Sequence, residues 1–187
     1  LIGLVGSEMC IRDRLLCYLA FEASVIGWLV TFFIDSGAAD AQTAQLLATA
    51  LWGALLIGRF ASAWFATRFS PQHMICVMTI GTAVCFSVMM CSHSLVPMAI
   101  GTFGVGLFMA GMYGTTLGGS DNLIGRYPMC MGMFIVIPGV GAAVTQSVIG
   151  VIADQIGIRG GMYVLYVLIA LMLLSTVLFV AHGRKKS

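Results

Sequence analysis

Long apolar runs separated by short polar connectors dominate the chain. Each run is long enough, at a helical rise of ~1.5 Å per residue, to cross the ~30 Å hydrocarbon core of a bilayer. In chain order the runs are Leu15–Ile34, Thr43–Ala66, Met74–Cys91, Leu95–Leu117, Pro128–Ile152 and Met162–Ala181. This pattern predicts an all-α membrane protein with six transmembrane helices. Glycines are dense in the fourth run, where we expect helices to approach closely.

The composition excludes a water-soluble protein. Of 187 residues, 60% are hydrophobic and 9% are charged, whereas soluble domains carry about 25% charged residues. The net charge of +2 is too small and too dispersed to indicate a nucleic-acid partner. We therefore expect the lipid bilayer to surround most of the chain.

The connector charges predict the orientation of the helices. If the six runs alternate across the bilayer, six cations collect at one end and a single cation, Arg159, at the other. The six are Arg14, Arg68, Arg126, Arg184, Lys185 and Lys186. Since positive residues favour the cytoplasmic side, both ends of the segment are expected in the cytoplasm, with residues 184–187 as a short cytoplasmic tail.

The first residues are expected not to belong to the fold. The chain does not begin with Met, and the tract from Gly6 to Arg14 resembles a translated sequencing adapter. We therefore expect residues 1–14 to be a non-native lead and the chain to be a fragment, the alternative for the lead being a genuine short amphipathic segment.

One carboxylate, Glu22, lies inside the first apolar run. A charge near the bilayer centre costs at least ~2.5 kcal/mol even on permissive scales, so we expect Glu22 to turn toward other helices, a partner or water. Such a residue is a candidate to line a polar cavity, where it would bind hydroxyl groups or a coupling cation. The alternative is a protonated or paired structural glutamate.

Three stretches resemble a known transporter family. They are Tyr18–Glu22 with Trp28, Gly58–Phe60 with Trp64 and Arg68–Pro71, and Gly150–Gly157. Together they are similar to the C-terminal half of a major facilitator superfamily transporter, and most of all to the fucose permease branch of proton-coupled sugar symporters. The loop after the second run departs from the family pattern, because Thr67 stands where the family has Asp and Ser70 where it has Gly.

The resemblance implies an architecture and a function. Residues 15–183 would form one six-helix half-bundle built from a 3+3 inverted repeat, whose partner is a missing N-terminal six-helix bundle of the same polypeptide. The whole would be a secondary active transporter of a small solute, a sugar, in a bacterial inner membrane, working by alternating access. No cofactor is implied, and proton or sodium coupling stays open.

The resemblance and the pattern also select site residues. Tyr18, Trp28, Tyr113 and Gln146 are candidates to line the substrate cavity with Glu22, although helix packing and interhelical hydrogen bonding are open alternatives. The resemblance places Arg59 and Arg68 in a cytoplasmic gate, with anchoring at the membrane surface as the alternative.

Other kinds of site and function are not expected. No metal site is predicted, because the three histidines lie near helix ends. Enzyme motifs such as HExxH, GxSxG, GxGxxG and the P-loop do not occur, so we expect no enzyme. A non-transporting sensor or structural membrane protein is the alternative to a transporter.

Overall fold

A computed structural model describes residues 2–112, 114–115 and 129–184, with the side chains of residues 16–112, 114–115, 136 and 139–178. These residues form seven helical elements, which we number in chain order. They are α1 (Ile2–Asp35), α2 (Ala41–Ala66), α3 (Pro71–Cys91), α4 (Leu95–Met109), α5 (Met129–Ile156), α6 (Ile158–Met162) and α7 (Val164–Arg184). The predicted all-helical architecture is confirmed.

Five spans in the described part of the chain are long and apolar enough to cross a membrane: Leu16–Asp35, Ala41–Ala66, Pro71–Cys91, Gly139–Ile156 and Ile158–Leu178. One further apolar helix, α4 (Leu95–Met109), has 15 residues and is shorter than these five spans. The pattern predicted this helix to continue to Leu117; the structure interrupts it with a turn at Ala110–Gly111, after which Met112 and Gly114–Thr115 are helical again. The turn coincides with a tight contact, because a Cβ on Gly111 would lie 2.8 Å from the Ser62 hydroxyl oxygen of α2.

The last apolar run also differs from its prediction. It was expected as one helix from Met162 to Ala181, but it begins at Ile158 and is divided at Tyr163 into α6 and α7. Gly157 separates α5 from α6 with a φ of +83°, a backbone conformation that glycine adopts without steric cost. The first helix begins at Ile2 and so runs through the suspected lead, whose side chains lie outside the described set.

The core is organised around α1, which packs against α5 and α7 and also contacts α2 and α6. Tyr18, Phe21, Phe32 and Phe33 of α1 are fully buried, whereas Trp28 is partly buried. Aromatic edge-to-face contacts connect α1 to the far side of the bundle, because Phe86 of α3 lies 5.3 Å from Phe21 and 5.2 Å from Tyr166 of α7 between ring centroids. Such pairs stabilise beyond the area that they bury.

Glycine allows α4 to fit between α2 and α3. A Cβ on Gly101 would lie 2.8 Å from the backbone nitrogen of Met89 in α3, and one on Gly106 would lie 3.0 Å from the backbone oxygen of Leu51 in α2. The expectation that this glycine-rich helix brings neighbours close is therefore confirmed. In lipid, where hydrophobic burial does not drive helix association, such close backbone contact supplies the packing energy.

Candidate functional site

Glu22 lies on the inner face of α1, and the residue is 8% exposed. Its orientation follows from helical spacing, since Tyr18, Val25 and Leu29 share that face and are also buried. The expectation that Glu22 turns into the bundle is met by the geometry. Tyr18, one turn earlier on α1, is 1% exposed, so both predicted residues lie on the same buried face of the helix.

Arg59 of α2 is the charged partner of Glu22. Its Nη2 lies 3.8 Å from the Glu22 Oε1, and its side chain is 59% exposed whereas that of Glu22 is 11% exposed. At 3.8 Å the pair is ionic but too long for a hydrogen bond. The guanidinium thus offsets the charge of the buried carboxylate while more than half of the Arg59 side chain stays exposed.

Gln146 and Trp28 lie where α5 meets α1. The Gln146 Nε2 donates a hydrogen bond of 2.8 Å to the backbone oxygen of Ala23. Trp28 packs on α5, since a Cβ on Gly150 would lie 3.3 Å from its Cζ2 atom. These contacts correspond to the structural alternatives, interhelical hydrogen bonding and packing, and they leave a cavity role for both residues as a prediction.

Of the remaining predicted residues, the structure places Arg68 away from this group. Arg68 lies beyond the end of α2, where its Cζ is 5.7 Å from the centre of the Trp64 ring, a cation–π contact of the kind found at membrane surfaces. Its contact is thus with an exposed aromatic residue. Tyr113 falls outside the described residues, so its predicted place in the cavity stays a prediction.

The structure adds a polar cluster at the opposite end of the bundle from Arg68. The Arg159 Nη2 donates a 2.6 Å hydrogen bond to the backbone oxygen of Ser92, and Nη1 lies 3.1 Å from the Nδ1 of His93. The Arg159 Cζ also lies 5.6 Å from the centre of the Phe32 ring. These contacts bring the end of α1, the α3–α4 connector and the start of α6 together, as the alternating topology predicted.

The alternating topology predicted the end of the bundle at which Arg159 lies, but it did not pair Arg159 with His93. The available signal was their common position in connectors that alternation puts at one end. The hydrophobic pattern also did not predict that Arg59 pairs with Glu22, because the two residues are 37 positions apart on different helices.

Comparison with known proteins gives a partial match. No family model matches the chain. Over 118 residues, 62% of the chain, it is 26% identical to the major facilitator superfamily domain-containing protein 4A of Mus musculus. The aligned region covers 23% of that relative's length, so the chain corresponds to a small part of it. The chain is thus a helical, multi-pass membrane protein that is similar to a member of the major facilitator superfamily.

Proposed function

We propose that the chain is the C-terminal six-helix half of a secondary active transporter that moves a small solute by alternating access. The similarity to a major facilitator superfamily domain-containing protein supports the transporter class. The resemblance of the residues around Tyr18, Arg59 and Gly150 to the fucose permease branch supports a sugar as the solute. The 3+3 repeat, the bacterial inner membrane and the missing N-terminal bundle belong to the same proposal.

The observation that carries this proposal is the buried carboxylate of Glu22 beside the exposed guanidinium of Arg59. An ionisable residue within a transmembrane helix is costly, and such residues mark solute and ion pathways. The 3.8 Å contact is too long for a hydrogen bond, and separating it would leave the buried Glu22 charge without a partner, so we infer that Arg59 moves away only when a solute hydroxyl or a coupling cation takes its place.

In the proposed mechanism this bundle rocks against the N-terminal bundle and exposes a shared midplane cavity to each side in turn. Glu22 would accept hydrogen bonds from solute hydroxyls or hold a coupling proton or sodium ion, and Tyr18, on the same face of α1, would line the cavity beside it. Arg59, two turns from the end of α2 at Ala66, would release Glu22 when the solute arrives.

The test is solute uptake by the full-length protein carrying Glu22→Gln. The amide keeps the size of the side chain and removes its charge, so we expect uptake to fall by about tenfold or more, which is ~1.4 kcal/mol in transition-state terms. Asp35→Asn makes the same change at the end of the same helix and should leave uptake unchanged. Uptake by Glu22→Gln equal to that of the parent, at equal expression, would remove Glu22 from the site.

The same protein in reconstituted vesicles separates a transporter from a sensor, since a sensor keeps the fold and produces no flux. Orientation is tested independently with reporter fusions. A reporter after Ser187 should be active in the cytoplasm and one inserted near Ala39 in the periplasm, and the reverse pattern would contradict the assigned topology.

A further inference from the structure

One side of α1 is left open between α2 and α5. Successive residues of an α-helix are rotated by about 100°, so this side begins beside Glu22, which pairs with Arg59 of α2, and ends about 140° around the helix at Gly27, which lies against Gln146 of α5. Gly27 is exposed, and the four residues between these edges are only partly buried: Leu19, Ala23, Ile26 and Val30. We call these four residues and Gly27 the α1 strip.

A hydrogen-bond acceptor lies at each edge of the α1 strip. The Glu22 carboxylate lies at the α2 edge. At the α5 edge, the Gln146 Nε2 donates to the backbone oxygen of Ala23, and no described residue donates a hydrogen bond to the Gln146 Oε1. Because Glu22 and Ala23 are consecutive, the two acceptors lie within about one helical turn of each other in depth, across a helix about 10 Å wide.

Gly27 determines how the Gln146 amide lies on α1. A Cβ on Gly27 would lie 3.0 Å from the Gln146 Nε2 but 4.0 Å from its Oε1, so the amino group rests on the bare backbone and the carbonyl group is farther away. The hydrogen bond to Ala23 fixes this orientation, because a flipped amide would place one carbonyl oxygen against another. Gly27 and the Ala23 backbone therefore keep an acceptor available beside the α1 strip.

We propose that the Gln146 Oε1 is a second solute contact of the transport site and that Gly27 is the residue that positions it. This inference rests on the proposed function. Both edges of the α1 strip accept hydrogen bonds, so an anion would be repelled. A cation gains little, because Arg59 already offsets the charge of Glu22. The arrangement selects a neutral solute that has hydroxyl groups on two sides.

The first test measures which charge the solute carries. Uptake of radiolabelled D-glucose, D-galactose and L-fucose by the full-length protein is compared with uptake of D-glucosamine, a cation, and D-glucuronate, an anion. We expect at least one neutral sugar to enter about tenfold faster than either charged sugar, because a site built for hydroxyl donors discriminates strongly. Faster uptake of a charged sugar, or uptake of none of the three neutral sugars, would overturn the solute assignment.

The second test asks whether Gly27 acts through Gln146. Gln146→Ala should raise the KM for the preferred neutral sugar by about threefold to tenfold and leave the maximal rate nearly unchanged, since a binding contact is lost. Gly27→Ala should raise the KM by about threefold, because its methyl group displaces the amide. Gly53→Ala on α2 is the control, since a Cβ there meets no atom within 4 Å.

The double variant gives the decisive comparison. Gly27→Ala combined with Gln146→Ala should have the KM of Gln146→Ala alone, because the amide that Gly27 positions is already absent. An additive effect of Gly27→Ala, or a KM of Gln146→Ala equal to that of the parent, would overturn the proposal.

Thermal unfolding of the same variants separates the contact from the transport function. Gly27→Ala should change the unfolding midpoint more unfavourably in the parent than in Gln146→Ala, where the added methyl group meets no amide. This measurement requires no flux. Equal effects in the two backgrounds would remove the positioning role of Gly27 whether or not the protein transports sugar. The expected difference without uptake of any sugar would instead overturn the proposed function and the solute contact that rests on it.

Discussion

A substitution at Gly58 tests the close packing of α2 on α4 beside Arg59. A Cβ at this position would collide with the backbone oxygen of Leu107 and would lie 2.8 Å from the Cβ of Ala110. The first of these neighbours is backbone, so it cannot rotate away as a flexible side chain can. Gly58→Ala therefore forces the two helices apart next to Arg59.

The tight contact at Gly58 allows the loss of stability to be estimated. Overpacking of a tight contact by one methyl group costs about 1–3 kcal/mol. For a chain of this size each kcal/mol lowers the unfolding midpoint by roughly 2–4 °C, so the expected decrease is about 2–12 °C. Gly53 is the matched control on the same helix, because a Cβ there meets no atom within 4 Å. Gly53→Ala should be neutral or stabilising by up to ~1 kcal/mol, as alanine favours a helix over glycine.

The assay is thermal unfolding of the full-length protein in detergent, followed by tryptophan fluorescence. Both variants make the same chemical change on one helix, so the difference between their midpoints isolates the contact. The reasoning is refuted if Gly58→Ala unfolds at or above the temperature of Gly53→Ala, since α2 and α4 would then have room for the added methyl group.

Three other changes have defined outcomes. Gln146→Leu removes the hydrogen bond to the backbone oxygen of Ala23. It should lower the free energy of unfolding, measured in mixed micelles, by about 0.6 kcal/mol and at most about 1.7 kcal/mol. A loss of uptake at unchanged stability would instead favour a cavity role for Gln146. A hydrogen bond from the Thr43 hydroxyl holds the pKa of the exposed Asp40 carboxyl below its ordinary value. The contribution of this hydrogen bond to stability is therefore present above the unfolded-state pKa of Asp40 and is lost as the pH falls through the lower folded-state pKa. Thr43→Val should raise the Asp40 pKa, and a carboxyl NMR titration that finds no rise would contradict the assigned cause. Arg159→Met should lower the free energy of unfolding by about 1 kcal/mol because a charged donor at the bundle end is lost, and an unchanged unfolding midpoint would show that this cluster contributes nothing.

The hydrophobic pattern was sufficient for the helices because each one must satisfy its own backbone hydrogen bonds in lipid. That requirement makes a long apolar run a helix whatever its neighbours are, so the all-helical class and most helix positions followed from the sequence. The ends of the helices were less predictable. The turn at Ala110–Gly111 lies where Gly111 closely approaches Ser62 of a different helix, and the hydrophobic pattern does not show that approach.

The candidate site divides in the same way. The position of Glu22 inside an apolar run was enough to predict that it faces the bundle, because the cost of a charge in hydrocarbon is a property of the residue and its depth. Which cation neutralises it was not predictable, since Arg59 reaches it only through the packing of α2 on α1. The pattern also could not show that the Gln146 side-chain amide donates a hydrogen bond to the backbone oxygen of Ala23.

By itself, the sequence determined that the chain crosses a membrane several times, which end carries the positive charge and which acidic residue must be sheltered. These properties depend on hydrophobicity and charge summed along the chain. Only the tertiary structure decided which residues pair: Arg59 with Glu22, and Arg159 with Ser92 and His93. Partners depend on distances between helices, and close backbone contacts at single glycines set those distances.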